Sequence, residues 1–330
     1  MNKPKLLILT GPTATGKTAV SLLAAKRLNA EIVSADSMQV YKGLNIGTAK
    51  PTISERQGIV HHMIDVVDAT DTTFSVARFK HEAQSCISSI LLRGKTPLVV
   101  GGTGLYINAL TYPMRFAAPA NTILRDKLRM QEDEKPGALY KQLEQVDAVT
   151  AARLHPNDIR RIIRALEVHS TTGQPFSSFY TDITQTNNKL MYHPIIVGLT
   201  KPRALLYSDI NSRVDTMMES GLLEEVKSIY DAGFSHSLPA LQGLGYKQLL
   251  MYMRDEISIE EAIERIKRET RRFAKRQLTW FRHDARLHWL DTTEYQSPQA
   301  LTNAVIKIFN KDNGEGESQN DKREPTGQHP

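Results

Sequence analysis

The chain has 330 residues, 40% of them apolar, which is enough for one large or two ordinary domains around a real core. A formal charge of +6 and a pI near 9.2 lean toward a polyanionic partner. The single cysteine, Cys86, excludes an internal disulfide and fits a reducing compartment; with no charged-then-apolar leader and no apolar run of membrane-spanning length, the expectation is a soluble, cytoplasmic chain without a membrane partner.

Residues 6–9 form a short apolar run that reads as a buried strand. It passes through Thr10 into Gly11-Pro12-Thr13-Ala14-Thr15-Gly16-Lys17-Thr18, and a helix-forming run over 19–28 follows. The middle fits G-x-x-x-x-G-K-[ST], the loop that cradles phosphates, and it sits between strand and helix as that function requires. Gly11 and Gly16 let the backbone wrap so that successive N–H groups point inward. The following helix adds the positive end of its dipole, Lys17 a point charge, and the Thr18 hydroxyl a ligand for Mg²⁺. Residues 31–35 read as a second strand, ending at Asp36-Ser37-Met38-Gln39-Val40-Tyr41. Ligands gather at the carboxyl ends of strands in open α/β sheets, so Asp36 lies near the phosphate loop if the first two strands are neighbours. Taken alone, it is a turn or helix cap.

Residues 42–52 look like a basic loop, and His61-His62 is better suited to a structural or hydrogen-bonding role than to a metal. Residues 74–92 carry Val76, Phe79, Ala83, Cys86, Ile87 and Ile90 at helical spacing, a core-facing stripe in which Cys86 is a small core residue. Residues 97–100 form another buried strand that runs into Gly101-Gly102-Thr103, where many phosphate-loop NTPases place a metal-binding Asp. From 115 to 193 the chain is helical and strand-free, broken at Pro136-Gly137, with Asn157 or Asp158 capping a helix whose arginines Arg160, Arg161 and Arg164 share a face. Residues 171–188 read as an exposed polar loop. The core resumes with a strand at 194–199, helices over 205–218 and 222–231, and a highly charged helix over 260–282. The basic residues of that last helix have few acidic i,i+4 partners, which favours a polyphosphate partner over a merely solvated face. A last strand at 287–290 and a short helix to 309 precede a tail, 310–330, read as disordered.

The expected architecture is therefore α/β: a P-loop NTPase-like core with a parallel sheet flanked by helices, built from 1–114 and 194–309, with an inserted all-helical domain over 115–193. Three functions fit these residues. One is a small-molecule or nucleoside kinase. Another is a transferase whose loop grips a diphosphate leaving group and whose substrate is nucleic acid. The third is a nucleotide-gated RNA-binding switch. The missing metal-binding Asp and the basic helix favour the transferase.

The phosphate loop, Asp36-Ser37-Met38-Gln39-Val40-Tyr41, Gly47-Thr48-Ala49-Lys50-Pro51, His61-His62-Met63-Ile64-Asp65, Val100-Gly101-Gly102-Thr103-Gly104-Leu105-Tyr106, His155-Pro156-Asn157-Asp158 with Arg164-Ala165-Leu166-Glu167, and Gln242-Gly243-Leu244-Gly245-Tyr246 together resemble the bacterial tRNA dimethylallyltransferases (isopentenyltransferases). The matches run in the family's order from residue 11 to about 282. The zinc finger of some eukaryotic relatives needs more than one cysteine and is not expected.

The resemblance implies transfer of a dimethylallyl group from its diphosphate to N6 of the adenosine 3′ of the anticodon, position 37, in tRNAs reading codons that begin with U. It implies Asp36 as general base with Thr103 beside the reacting centre, and a phosphate loop (Gly11, Pro12, Thr13, Ala14, Thr15, Gly16, Lys17, Thr18) turned to the diphosphate, an ATP-binding label then being loose. Arg213 becomes a second clamp on the diphosphate and Mg²⁺ the metal, at Thr18. The anticodon stem-loop would meet Asp36, Ser37, Met38, Gln39, Thr103, Arg125, and the run Arg160, Arg161, Ile162, Ile163, Arg164. The chain is expected to act as a monomer.

Overall fold

The computed structural model describes residues 3–117, 119–179 and 190–311. The first half alternates β1 (Lys5–Thr10), α1 (Lys17–Arg27), β2 (Ala30–Ser34), β3 (His61–His62), α2 (Val76–Leu92), β4 (Thr96–Val100) and α3 (Gly104–Thr111). Four helices follow without a strand: α4 (Thr122–Glu134), α5 (Ala138–Val146), α6 (Ala148–Ala151) and α7 (Ile159–Thr172). The alternation resumes with β5 (His193–Thr200), α8 (Arg203–Glu219), α9 (Leu222–Asp231), α10 (Tyr246–Met253), α11 (Ile259–Arg282), β6 (Leu287–Asp291) and α12 (Pro298–Lys311).

The six strands form one parallel sheet in the order β3-β2-β4-β1-β5-β6. Side chains alternate across a strand, so β1 feeds two cores at once. Leu6 and Ile8 join Phe79, Ile87, Tyr106 and Phe281 on one face, while Leu7 and Leu9 join Val20, Ala24, Val305 and Phe309 on the other. Burial on both faces is why β1 reads as an unbroken apolar run. Each of its fully buried leucines contributes about 1.5–3 kcal/mol relative to an exposed position. On the first face Phe79 of α2 stacks on Tyr106 of α3, with ring centroids 3.8 Å apart. Cys86 is partly buried against the same cluster.

The helices α4, α5, α6 and α7 pack around a core of their own, which includes Leu128, Leu139, Leu143, Ile162 and Leu166. Asp158 is the residue that caps α7, accepting from the Arg161 amide, and α7 continues into the expected loop as far as Thr172, followed by a 3-10 turn at Phe176–Phe179. The rest of that loop, and the expected tail from 312 onward, lie outside the described residues.

One expectation is corrected. Asp36 was to approach the phosphate loop if β1 and β2 were neighbours, but β4 lies between them. The two strand ends still border one cavity, with Gly101 at the end of β4 between them, its amide donating to the Leu9 carbonyl at 3.2 Å. A Cβ on Gly101 would stand 2.3 Å from the Ala35 carbonyl oxygen, so no side chain fits between the strand ends.

Candidate active site

The carboxyl ends of β1, β2 and β4 open into one cavity of about 560 Å³. Its floor is the phosphate loop, and α8 and α11 wall it with Ile210, Val214, Ile266 and Phe273. Gly11 has φ 132° and runs so close to β5 that a Cβ would stand 2.2 Å from the Leu199 carbonyl oxygen. Gly16, at φ 80°, turns the chain into α1. The Thr15 hydroxyl donates to the Pro12 carbonyl at 2.9 Å and the Thr10 hydroxyl to the Gly101 carbonyl at 2.8 Å, which fixes the loop against β4.

Lys17 folds back over this loop, its ammonium donating to the Gly11 carbonyl at 3.0 Å and the Pro12 carbonyl at 2.7 Å. Burial, reinforced by the Arg213 guanidinium, pushes Lys17 down to about 7, against the upward pull of Asp36. Burial likewise lowers Arg213, again opposed by Asp36. Arg213 makes no hydrogen bond or ion pair with any described residue. Two cations thus face the cavity with little counter-charge, a setting that a bound diphosphate relieves.

Asp36 leaves the end of β2 with one carboxylate oxygen engaged. Its Oδ1 accepts from the Met38 amide at 2.8 Å and the Gln39 amide at 3.4 Å, while Oδ2 has no partner among the described residues. The Thr103 hydroxyl accepts from the Ser37 amide at 3.1 Å, and the Thr103 amide donates to the Ala35 carbonyl at 3.2 Å. Asp36, Ser37 and Thr103 are therefore one hydrogen-bonded unit on the cavity wall. Gln39 lines the cavity too, but its amide is engaged elsewhere: Nε2 donates to the Thr48 and Ala49 carbonyls and Oε1 accepts from Ser34. Met38 lines the wall and packs on Gly243, where a Cβ would stand 2.5 Å from its methyl.

The residues expected to meet RNA are not all alike. Arg160 and Arg161 are exposed, Arg161 in an ion pair with Asp158. Arg125 and Arg164 both bind Glu167, which is fully buried and also accepts from the Asn121 amide. Ile162 and Ile163 narrow the expectation: at 0% and 4% exposure their side chains belong to the insertion's core, because the helical period that turns Arg160 and Arg161 outward turns them inward, which leaves their backbone for any contact with RNA. A second correction concerns α11. Arg265 pairs with Glu261, Lys267 with Asp215 and Glu264, and Arg268 and Arg272 with Glu269. One of these pairs is at i,i+4; the others, at i,i+3, at i,i+1 and from α8, supply counter-charge that i,i+4 spacing did not reveal. Among the described residues, Lys275, Arg276 and Arg282 have no ion pair.

Three contributors were missed in the sequence. Glu225 of α9 accepts the amides of Asn45, Ile46 and Gly47 and the Tyr246 hydroxyl, anchoring the loop that holds Gln39. Lys50 is buried and satisfied by Tyr41, Asn45 and Asp65. Gln277 lies on the apolar side of α11 and lines the cavity. A polar residue in an apolar stripe was its only signal. His61 bonds the Ile59 carbonyl and His62 bonds Glu31.

The donor set suits Mg²⁺ only in company. Among the described residues no three His, Cys, Asp or Glu side chains gather as a cage; Asp36 is the one carboxylate lining the cavity, and the Thr18 hydroxyl lines it too. Such a sparse set of hard ligands fits an ion that takes its remaining oxygens from a diphosphate and water.

Comparison with known proteins gives one answer. Residues 39–284 match the family described as IPP transferase. A tRNA dimethylallyltransferase of Alkaliphilus metalliredigens is 47% identical over 307 residues, 92% of this chain and 97% of the relative. That of Desulforudis audaxviator is 48% identical over 304 residues, again 92% of this chain and 97% of the relative. The crystal structure of a tRNA isopentenylpyrophosphate transferase from Bacillus halodurans overlays with a TM-score of 0.68 at 40% identity, covering 94% of this chain and 98% of that one. A eukaryotic dimethylallyltransferase caught acting on tRNA overlays with a TM-score of 0.79 at 30% identity, covering 93% of this chain and 79% of its own.

Proposed function

Because this chain belongs to the IPP transferase family, the tRNA dimethylallyltransferases, we propose that its cavity is where a dimethylallyl group passes from a diphosphate to tRNA. The enzyme is a prenyltransferase. The finer reading is that the acceptor is N6 of the adenosine 3′ of the anticodon, in tRNAs for codons beginning with U. The observation that carries it is the meeting of undercompensated cations, Lys17 and Arg213, with a carboxylate that keeps one oxygen free, Asp36, in a single cavity.

In this reading the N6 lone pair attacks the first carbon of the dimethylallyl group as the bond from that carbon to the diphosphate oxygen breaks. The exocyclic amine is a poor nucleophile because its lone pair is delocalised into the ring. Asp36 takes the proton that N6 must shed as the new C–N bond forms. The Ser37–Thr103 unit keeps Asp36 in place. Lys17, the loop amides and Arg213 receive the negative charge that develops on the departing diphosphate. Thr18 would hold Mg²⁺ through its hydroxyl, and the ion would supply further charge neutralisation at the leaving group. The base has to leave its stack to enter the cavity, as base-modifying enzymes require. Arg160 and Arg161 grip the anticodon stem-loop from the insertion, taken as 115–193, while Arg125 and Arg164 are held in register by Glu167. The chain works on one tRNA as a monomer, in the cytoplasm where its substrate is. No described helix is long and apolar enough to cross a membrane.

The test uses dimethylallyl diphosphate labelled in the prenyl group, Mg²⁺ and bulk tRNA lacking the modification. Label in tRNA at the adenosine beside the anticodon is expected. Absence of label in tRNA, with ATP consumed and a small acceptor phosphorylated, would overturn the reading in favour of a kinase.

A further inference from the structure

α11 presents two faces. Outward it carries Lys275 and Arg276; inward, Ile266, Thr270, Phe273 and Gln277 line the cavity at helical spacing. Gln277 is 7% exposed and makes two bonds to two different loops. Its Oε1 accepts from the Thr13 amide of the phosphate loop at 3.1 Å, and its Nε2 donates to the Gly102 carbonyl at 2.9 Å. One partner is a donor and the other an acceptor, so only one orientation of the amide satisfies both. One helical turn on, Trp280 packs against the same glycine-rich turn.

The turn is built for this contact. A Cβ on Gly102 would stand 2.2 Å from the Gln277 amide nitrogen, and one on Gly104 would stand 2.2 Å from the Trp280 indole nitrogen. The residue between those glycines is Thr103, which holds Ser37 and so the Asp36 turn. A continuous path therefore runs from the loop that meets the diphosphate, through Gln277 and Gly102, to the carboxylate that meets the amine.

We propose that Gln277 is a positioning residue: a spacer from α11 that sets the distance between the leaving-group loop and the Asp36–Thr103 unit. This deepens the transferase reading and rests on it. The two reacting partners are bound by different loops, and a fixed separation between those loops is what holds the prenyl carbon within reach of the amine. The Thr13 amide, being taken by Gln277, is thereby assigned to loop geometry and not to the phosphates.

The test compares wild type with Gln277→Leu and Gln277→Glu in the labelled-prenyl assay, with kcat, the KM for each substrate and pyrophosphate binding measured separately. Gln277→Leu should lower kcat about 100-fold and weaken pyrophosphate binding about fivefold, with tRNA affinity within about twofold of wild type. Gln277→Glu keeps shape and the acceptor for Thr13, but its ionised form opposes the Gly102 carbonyl. As the introduced carboxyl protonates it can donate to Gly102, and burial raises its pKa toward neutrality. Its activity relative to wild type should therefore rise at least about fivefold from pH 8 to pH 6. Lys17, Asp36 and Arg213 share the cavity, so activity is read as a ratio to wild type at each pH. A flat ratio, or a Gln277→Leu kcat within twofold of wild type despite a lower Tm, would reduce Gln277 to packing and overturn the proposal. If wild type transfers no label, the transferase reading fails instead, and an unchanged pyrophosphate affinity in Gln277→Leu would then overturn the spacer role on its own.

Discussion

The two ends of β2 each hold a carboxylate, and they are treated in opposite ways. At the amino end, Glu31 is 3% exposed and surrounded by His62, Arg93 and Lys95, each within 2.9 Å. Burial alone would raise its pKa, but hydrogen bonds from His62, Lys95 and Arg93 outweigh that and hold it at about 2. Just past the carboxyl end, Asp36 spends one oxygen on its own turn and leaves the other free, in a cavity where it is the counter-charge for both Lys17 and Arg213. In the proposed reaction the same chemical group is a strut where both oxygens are met by fixed partners and a reagent where one is left free. Partner saturation, more than residue type, is what distinguishes the two carboxylates. Glu167, tied to Arg125 and Arg164, repeats the strut in the insertion.

Substitutions at the two ends should separate activity from stability. Asp36→Asn keeps the Oδ1 acceptor and so the turn. It should cut kcat about 10³-fold, with Tm and tRNA affinity nearly unchanged; normal turnover with weak tRNA binding would remove Asp36 as the base. Lys17→Met should lower kcat/KM for the prenyl diphosphate by about 10²–10³, and unchanged kinetics would take the leaving-group role from it. At the other end, Glu31→Gln should leave kcat alone and cost about 1–2 kcal/mol in denaturant unfolding, a buried-pair loss discounted because Arg93 and Lys95 are part-exposed. Because the folded pKa of Glu31 is depressed, its contribution is complete above the ordinary value of 4.5 and is lost as pH falls through about 2. Tm measured down that range should fall more steeply in wild type than in Glu31→Gln, and parallel curves would contradict the strut. The smallest effect tests the insertion. Arg160→Glu should weaken tRNA binding about tenfold at low salt and flatten its salt dependence by one to two contacts, leaving kcat at saturation intact. An unchanged slope would mean that Arg160 does not face the RNA.

Much of this was legible in the chain because the governing forces are local. The phosphate loop, the apolar strands and the stripe over 76–90 follow from backbone geometry and periodicity within a few residues. Asp158 as a helix cap is of the same kind. The insertion of β4 between β1 and β2 was not legible, since strand order depends on distant pairings. Nor was the pairing of Arg125 with Glu167, 42 residues apart, or of Lys267 with Asp215. Gln277 reaches Thr13 across 264 residues and Gly102 across 175, distances over which no spacing rule operates. Ile162 and Ile163 could have been read inward from the same helical period that turns Arg160 and Arg161 outward.

The pairing of β1 with β5 has a consequence for how the chain is made. β1 leaves the ribosome before both of its neighbours and gains β4 after roughly 90 further residues, but its other edge is closed only by β5, at His193–Thr200. At typical bacterial elongation rates that edge waits roughly 5–20 s after β4 has emerged. During the wait the nascent sheet presents an open apolar strand, Leu6 to Leu9, to whatever else is folding nearby. Filling that interval with four helices that pack locally around their own core means that what emerges next has little use for a loose strand. The order of elements along the chain thus sets a helical unit with its own core between the central strand and its last partner.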